Sequence, residues 1–157
     1  MARKKKGQES EVRLRGFLRG QLVDKAGKVV GDTGWRQNKA TNFGLTNLAD
    51  FITGAGVSVG YAALGLQDSA VDMSQTDLIS RENSFAAVDT STSGTCTATF
   101  TCSFAGSNNS DTLTVGAAGL YKTNSAGSLV AAATFTGSQM TTAQDFNLTY
   151  QLRFATA

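Results

Sequence analysis

The sequence is poor in the residues on which most enzyme chemistry depends. Its 157 residues include no histidine, no proline, two cysteines and only 17% charged side chains. Without histidine the chain cannot form a Ser-His-Asp triad, a Cys-His dyad or a histidine-ligated metal site, and two cysteines alone do not make a structural zinc site. No window approaches the ~18 apolar residues of a transmembrane helix, so no membrane partner is expected. We therefore expect no enzymatic activity, no metal and no cofactor.

What the chain has instead is serine, threonine and glycine. Ser and Thr together number 34, more than the 26 charged residues, and Gly numbers 17. β-Branched Thr fits the pleated surface of a strand better than a helix. The 41% of hydrophobic residues is enough for a folded core. Length and composition together predict a single domain rich in β-structure.

The net charge of +2 hides a division along the chain. Residues 1–40 hold eleven of the fourteen Lys and Arg against four acids, a net charge of +7. Residues 41–157 hold three against eight, a net charge of −5. Such asymmetry is typical of a basic arm that meets an acidic partner, either nucleic acid or another protein.

Alternation of apolar and polar residues predicts most of the fold. It is clearest at residues 12–22, 95–104 and 146–154, and weaker at 57–66, 112–115, 117–122 and 129–136. The sequence DKAG at 24–27 predicts a tight turn that closes a hairpin. Seven or eight strands with one apolar face need a second layer to cover that face. We therefore predict, over residues 12–157, a mainly β domain: a two-layer antiparallel β-sandwich of jelly-roll-like type.

One segment changes period and predicts a short α-helix over about 42–53. Its apolar residues recur at i, i+3, i+4 and i+7. They are Leu45, Leu48, Ala49 and Ile52. Thr41 or Asn42 can serve as the N-cap, and Gly54 stands where a left-handed C-cap is favoured. A second, single helical turn is expected after Ser74.

The two cysteines are expected to be reduced. If both lie on the strand 95–104, Cys96 and Cys102 are about 20 Å apart, whereas a disulfide needs less than about 7 Å between Cα atoms. We therefore expect both thiols in the core beside Phe100.

Four acidic residues stand close together in the sequence and are the remaining route to hydrolysis without histidine. Asp68, Asp72, Asp77 and Glu82 fall in a loop with no apolar surroundings that would raise a carboxyl pKa. Asp77 and Arg81 are four residues apart and are expected to form a surface ion pair.

The basic leading segment is the strongest functional signal. Residues 1–11 are expected to be a flexible arm, and residues 12–22 carry further arginines along one strand face. The candidate partner-binding residues are Arg3, Lys4, Lys5, Lys6, Arg13, Arg15 and Arg19. Three interpretations stay open: an arm that orders on a neighbouring subunit, a nucleic-acid contact without a stacking platform, or a solvated basic face.

Four motifs, taken in order, resemble a family of tailed-phage virion structural proteins. They are residues 38–49 (NKATNFGLTNLA), 63–65 (ALG), 76–82 (TDLISRE) and 118–121 (AGLY). The resemblance covers about residues 38–157 and leaves the basic arm outside it. In that family an acid often precedes Ala-Gly-Leu, whereas Ala117 stands here, so no role of that acid is carried over. The Thr that usually stands before the leucine of the third motif is also missing.

The resemblance implies a structural protein of the virion, synthesised in the host cytoplasm. Similar sandwiches serve as capsid decoration (cement) proteins, tail components and fibre-attachment domains. No heptad or repeat of a fibre stalk is present, which favours decoration. The expected partners are the major capsid protein or other virion subunits and further copies of the chain, with a trimer favoured. A tail or adaptor component is the first alternative, and a nucleic-acid-binding module is the second.

Overall fold

The computed structural model describes residues 12–56 and 58–156, and in these ranges the chain is mainly antiparallel β-structure. Ten strands and one α-helix are present there, so the predicted mainly β fold with one short helix is confirmed. The elements are β1 (Val12–Asp24), β2 (Val29–Asp32), β3 (Arg36–Ala40), α1 (Asn42–Ile52), β4 (Tyr61–Gly65), β5 (Arg81–Ala87), β6 (Thr90–Gly94), β7 (Thr97–Ala105), β8 (Leu113–Tyr121), β9 (Leu129–Met140) and β10 (Gln144–Thr156).

The strands form one open sheet that folds into two layers at β3. The order is β5-β4-β8-β9-β3-β1-β10-β7-β6, and β2 pairs with β1 beside β3. Residues 36–38 of β3 pair with β1, whereas residues 39–40 pair with β9. We call β1, β2, β6, β7 and β10 layer 1, and β4, β5, β8 and β9 layer 2. A jelly-roll connectivity is not confirmed.

The main core lies between the two layers. Phe135 of layer 2 stacks on Phe146 of layer 1, with ring centroids 5.9 Å apart. Side chains from both layers bury their apolar surface in one cluster, which is the main source of stability in such a sandwich. The cluster includes Leu18, Leu22, Leu64, Cys102, Phe104, Val115, Leu120, Phe135, Met140, Phe146, Leu148 and Tyr150.

The outer face of layer 2 is also buried, because the long loop 66–80 lies across it. Val71 and Leu78 of this loop pack in a second cluster with strand residues that point away from the main core, among them Ala117 and Leu129. The strands of layer 2 therefore have apolar residues on both faces. This explains the runs AAL at 62–64 and AAGLY at 117–121, which do not alternate.

A polar network centred on Tyr121 fastens this loop. The Tyr121 hydroxyl donates to Asp77 Oδ1 at 2.7 Å and accepts from the Leu78 backbone N–H at 3.1 Å. Arg81 Nε donates to the same carboxylate at 2.9 Å, and its guanidinium lies 4.3 Å from the centroid of the Phe85 ring. Burial, foremost, and the bond to Asp77 raise the pKa of Tyr121 above its ordinary value, so the hydroxyl stays protonated as a donor. The expected Asp77–Arg81 ion pair is confirmed as part of this network.

The helix begins and ends where its capping residues predict. Thr41 is the N-cap: its Oγ1 accepts from the Gly44 N–H at 3.0 Å and donates to the Leu129 carbonyl, with the Val130 carbonyl oxygen at 3.1 Å. Gly54 follows the helix with a φ of +81°, as expected. A Cβ on Gly44 would lie 2.1 Å from the Val130 carbonyl oxygen. Only glycine therefore lets α1 sit directly on the backbone of β9.

One cysteine differs from the prediction. Residues 95–96 form the tight turn between β6 and β7, so the strand begins at 97 and Cys96 is exposed, with a φ of +54°. The expectation of a core position for Cys96 is wrong, because the hairpin uses two residues of the alternating run. Cys102 is buried as predicted, which raises the pKa of its thiol to about 12. Both cysteines are free, as expected.

Candidate interaction surface

The outer face of layer 1 carries a group of arginines, which we call the basic face. β1 and β10 are antiparallel partners along thirteen residues, so their outward side chains lie side by side. The basic face consists of Arg13, Arg15, Phe17 and Arg19 from β1 and Arg153 from β10. This arrangement confirms that the three predicted arginines of β1 share one strand face. The predicted residues Arg3, Lys4, Lys5 and Lys6 lie outside the described residues.

Arg19 is neutralised within the chain. Its Nε lies 3.1 Å from both carboxylate oxygens of Asp32, and its Nη2 lies 2.5 Å from Oδ2. Gln21 Nε2 and the Gly34 N–H also donate to this carboxylate, at 3.0 and 2.8 Å. The hydrogen bonds from Arg19 are the main reason why the pKa of Asp32 lies well below its usual value. Arg19 therefore offers less positive charge to a partner than its sequence position suggested.

Arg153 is a residue of the basic face that the sequence did not identify. It lies directly opposite Arg15 in the β1–β10 register, and both side chains are exposed. Its guanidinium lies 4.9 Å from the centroid of the Phe17 ring, and Nη2 donates to Gln151 Oε1 at 2.7 Å. The alternation of the closing strand did place Arg153 on a polar face. Only the pairing of that strand with β1 brings it beside Arg15.

Positive charge on this face is concentrated at one end. Arg13, Arg15 and Arg153 stand at the end where β1 begins, whereas Asp145 stands near the β1–β2 hairpin. At about 3.4 Å per residue, these ends are roughly 30 Å apart, several Debye lengths at physiological salt. The end that continues into the basic arm is therefore the cationic end.

Two of the four acidic residues weighed as a hydrolytic site, Asp72 and Asp77, have structural roles. Asp72 Oδ1 accepts from the Ser74 N–H at 2.7 Å and from its hydroxyl at 2.6 Å, which lowers the pKa of Asp72. This turn replaces the helical turn predicted after Ser74, so that prediction is wrong. Asp77 is held by Arg81 and Tyr121. In the part of the chain that the structure describes, no group of three or more acidic or cysteine side chains could hold a metal ion.

A groove of about 440 Å³ opens between α1 and the inner side of layer 1. The helix contributes Leu48 and Phe51, and the strands contribute Phe100, Leu152 and Phe154. None of the described residues on its wall is acidic or basic. The groove thus offers apolar contact but no group for proton transfer.

No helix of the described ranges is long and apolar enough to cross a membrane. No family model, no curated protein and no solved structure matches this chain.

Proposed function

We propose that this protein is a structural component of a tailed-phage virion, a decoration (cement) protein that binds the capsid shell and stabilises it. One observation carries the proposal: Arg15 and Arg153 lie opposite each other, exposed and without an acidic partner among the described residues. The motif order between residues 38 and 121 supplies the phage context.

The cationic end suits attachment to an acidic neighbour. It continues in sequence into residues 1–11, where four Lys and Arg against two Glu give a further net charge of +2. Opposite charges across an interface speed the encounter and fix its orientation, while apolar contacts supply most of the buried energy. The partner is therefore an acidic surface of the major capsid protein or of another virion subunit.

The mechanism is stabilisation by binding. A protein that binds the assembled shell but not its separated subunits shifts the equilibrium towards the assembled state. Many copies that each bridge neighbouring subunits resist the internal pressure of a packaged genome. We place the protein in the virion as a homo-oligomer, with a trimer as the favoured form.

Copy number in purified virions is the first test. A decoration protein is present in many copies, in a fixed ratio to the major capsid protein on a stained gel. A tail, adaptor or fibre-attachment component is present in a few copies, and that result would replace decoration by the tail alternative. Complete absence from the particle would refute the proposal.

The basic arm is tested on particles stripped of the protein. One variant lacks residues 1–10, and a second keeps the length but has Arg3, Lys4, Lys5 and Lys6 changed to Gln. Both should rebind less at physiological salt, and the particles should melt at a lower temperature. A matched control loses the same charge elsewhere, through Gln at Lys25, Lys28, Lys39 and Lys122.

The control should rebind as the unaltered protein does. Equal retention and equal particle stability for all variants would refute the role of the arm. Tight, steeply salt-dependent binding of the isolated protein to plain duplex DNA would instead favour the nucleic-acid alternative, which the charge of residues 1–40 supports.

A further inference from the structure

The arginine pair at the cationic end has an unfavourable arrangement in the isolated chain. Directly opposite residues of antiparallel strands have Cβ atoms about 5 Å apart, and like charges at that distance are destabilising. Arg15 and Arg153 occupy such opposite positions. An anion that binds both guanidinium groups would turn this repulsion into attraction.

The surroundings of Arg153 hold its side chain in position for such a contact. The Phe17 ring supports one face of the guanidinium, and Gln151 accepts one of its N–H groups. A guanidinium has five N–H donors, so several remain for a ligand. Because its orientation is already restricted, Arg153 loses less conformational entropy on binding than a free arginine does.

The same geometry favours a carboxylate over a nucleic-acid base. Phe17 is the aromatic residue of the basic face, and the Arg153 guanidinium covers its ring, so this ring is not open for a base to stack on. An extended peptide has side chains on one face every second residue, which is also the spacing of the outward residues of β1. A carboxylate also matches the bidentate geometry of arginine.

We propose that Arg15 and Arg153 together form a carboxylate-binding site for an extended acidic segment of a neighbouring protein subunit. This inference rests on the proposed function, because it names the chemistry by which the basic face recognises its partner. Arg19 is outside the site because its guanidinium is held in an ion pair with Asp32.

The test uses three variants that lose the same charge: Arg15→Gln, Arg153→Gln and Arg19→Gln. Full-length protein is titrated with a short fluorescent peptide of alternating glutamate and serine, and fluorescence anisotropy reports binding. Loss of a charge-assisted contact is expected to weaken binding about tenfold at physiological salt for Arg15→Gln and Arg153→Gln. Arg19→Gln should change the affinity less than about twofold, because position 19 lies about 14 Å along β1 from Arg15, beyond the Debye length of about 8 Å.

The double variant shows whether the two arginines act on one ligand. If both hold the same carboxylate, Arg15→Gln in the Arg153→Gln background should cost much less than it does alone. Thermal unfolding serves as the folding control. Arg15→Gln should melt at or above the temperature of the unaltered protein, because it removes a repulsion. Arg153→Gln should melt close to that temperature, because it removes the same repulsion but also loses the contacts with Phe17 and Gln151.

Three results would overturn the carboxylate site. Equal losses of peptide affinity in all three single variants would show that the peptide is attracted by net charge alone. Fully additive losses in the double variant would show two independent contacts. Stronger binding of a duplex DNA than of the peptide, with the same dependence on Arg15 and Arg153, would assign the pair to phosphate.

Binding of the peptide and retention on virions are separate measurements. Peptide binding that depends on the pair would support the site even if the protein is absent from virions. If Arg15→Gln and Arg153→Gln are retained on particles as well as the unaltered protein is, the proposed function stands without this site.

Discussion

The bond between Tyr121 and Asp77 should account for a measurable share of stability. Tyr121→Phe removes only the hydroxyl, so the edge-to-face contact with Phe85, at 5.0 Å between centroids, is retained. Leu78 N–H keeps its bond to Asp77 Oδ1 at 2.9 Å, and the carboxylate keeps Arg81. The loss is therefore one buried hydrogen bond to a charged group, for which we expect about 2 kcal/mol.

For a chain of this length, about 2 kcal/mol corresponds to a fall in Tm of roughly 6 °C. Tyr61→Phe is the matched control, because Tyr61 lies directly opposite Tyr121 and the structure gives its hydroxyl no hydrogen bond to a described residue. Its Tm should stay within about 2 °C of the unaltered protein. Thermal unfolding by circular dichroism measures both, and hydrogen exchange should show earlier opening of loop 66–80 in Tyr121→Phe.

A double-mutant cycle with Asp77→Asn isolates the pair. If the hydroxyl acts through the carboxylate, Asp77→Asn should cost less in the Tyr121→Phe background than in the unaltered protein. Identical losses for the two Tyr→Phe variants, or no coupling in the cycle, would refute the role assigned to this bond.

Three further predictions follow from the fold. Gly44→Ala should destabilise the protein by about 3 kcal/mol in urea unfolding, because the new methyl group would meet the backbone of β9. Gly94→Ala is the control: a Cβ at position 94 has no atom within 4 Å, so stability should change by less than about 0.5 kcal/mol. In the folded protein Cys96 should react with a thiol reagent and Cys102 only after unfolding; rapid reaction of both would contradict the burial of Cys102. Because the pKa of Asp32 is lowered in the folded protein, its carboxylate stabilises the fold above the unfolded-state pKa of about 4, and this stabilisation is lost as the pH falls towards the folded-state pKa. The difference in Tm between the unaltered protein and Asp32→Asn should therefore shrink between about pH 6 and pH 2. A difference that stays constant would contradict this role of Asp32.

The sequence predicted the elements whose structure depends on residues that are neighbours in the chain. The helix after Thr41 follows from its capping side chain, a property of adjacent residues. The apolar stripe that also predicted it is not the buried face, because Leu45 is 40% and Ile52 81% exposed while Gly44 is buried. β1 and β10 alternate cleanly because each has one buried face and one exposed face. The shared face of Arg13, Arg15 and Arg19 follows from that alternation alone.

Contacts between distant segments could not be predicted in the same way. The pairing of Arg15 with Arg153 depends on which strand lies beside β1, and the sequence carries no local signal for that choice. The Arg19–Asp32 bond depends on the β1–β2 register for the same reason. The strands of layer 2 alternate poorly because loop 66–80 covers their outer face, which the sequence presented only as a polar loop.

The pairing of β1 with β10 has a practical consequence for labelled versions of the protein. Val12 lies opposite Thr156, so both ends of the described chain leave the fold at one corner, beside Arg15 and Arg153. A fusion partner joined directly to either end of the described chain would crowd the surface that we assign to the neighbouring subunit. The exposed turn at residues 124–127, between β8 and β9, belongs to the other layer. An affinity tag or displayed peptide inserted there would leave this corner accessible, since loop tips tolerate insertions well.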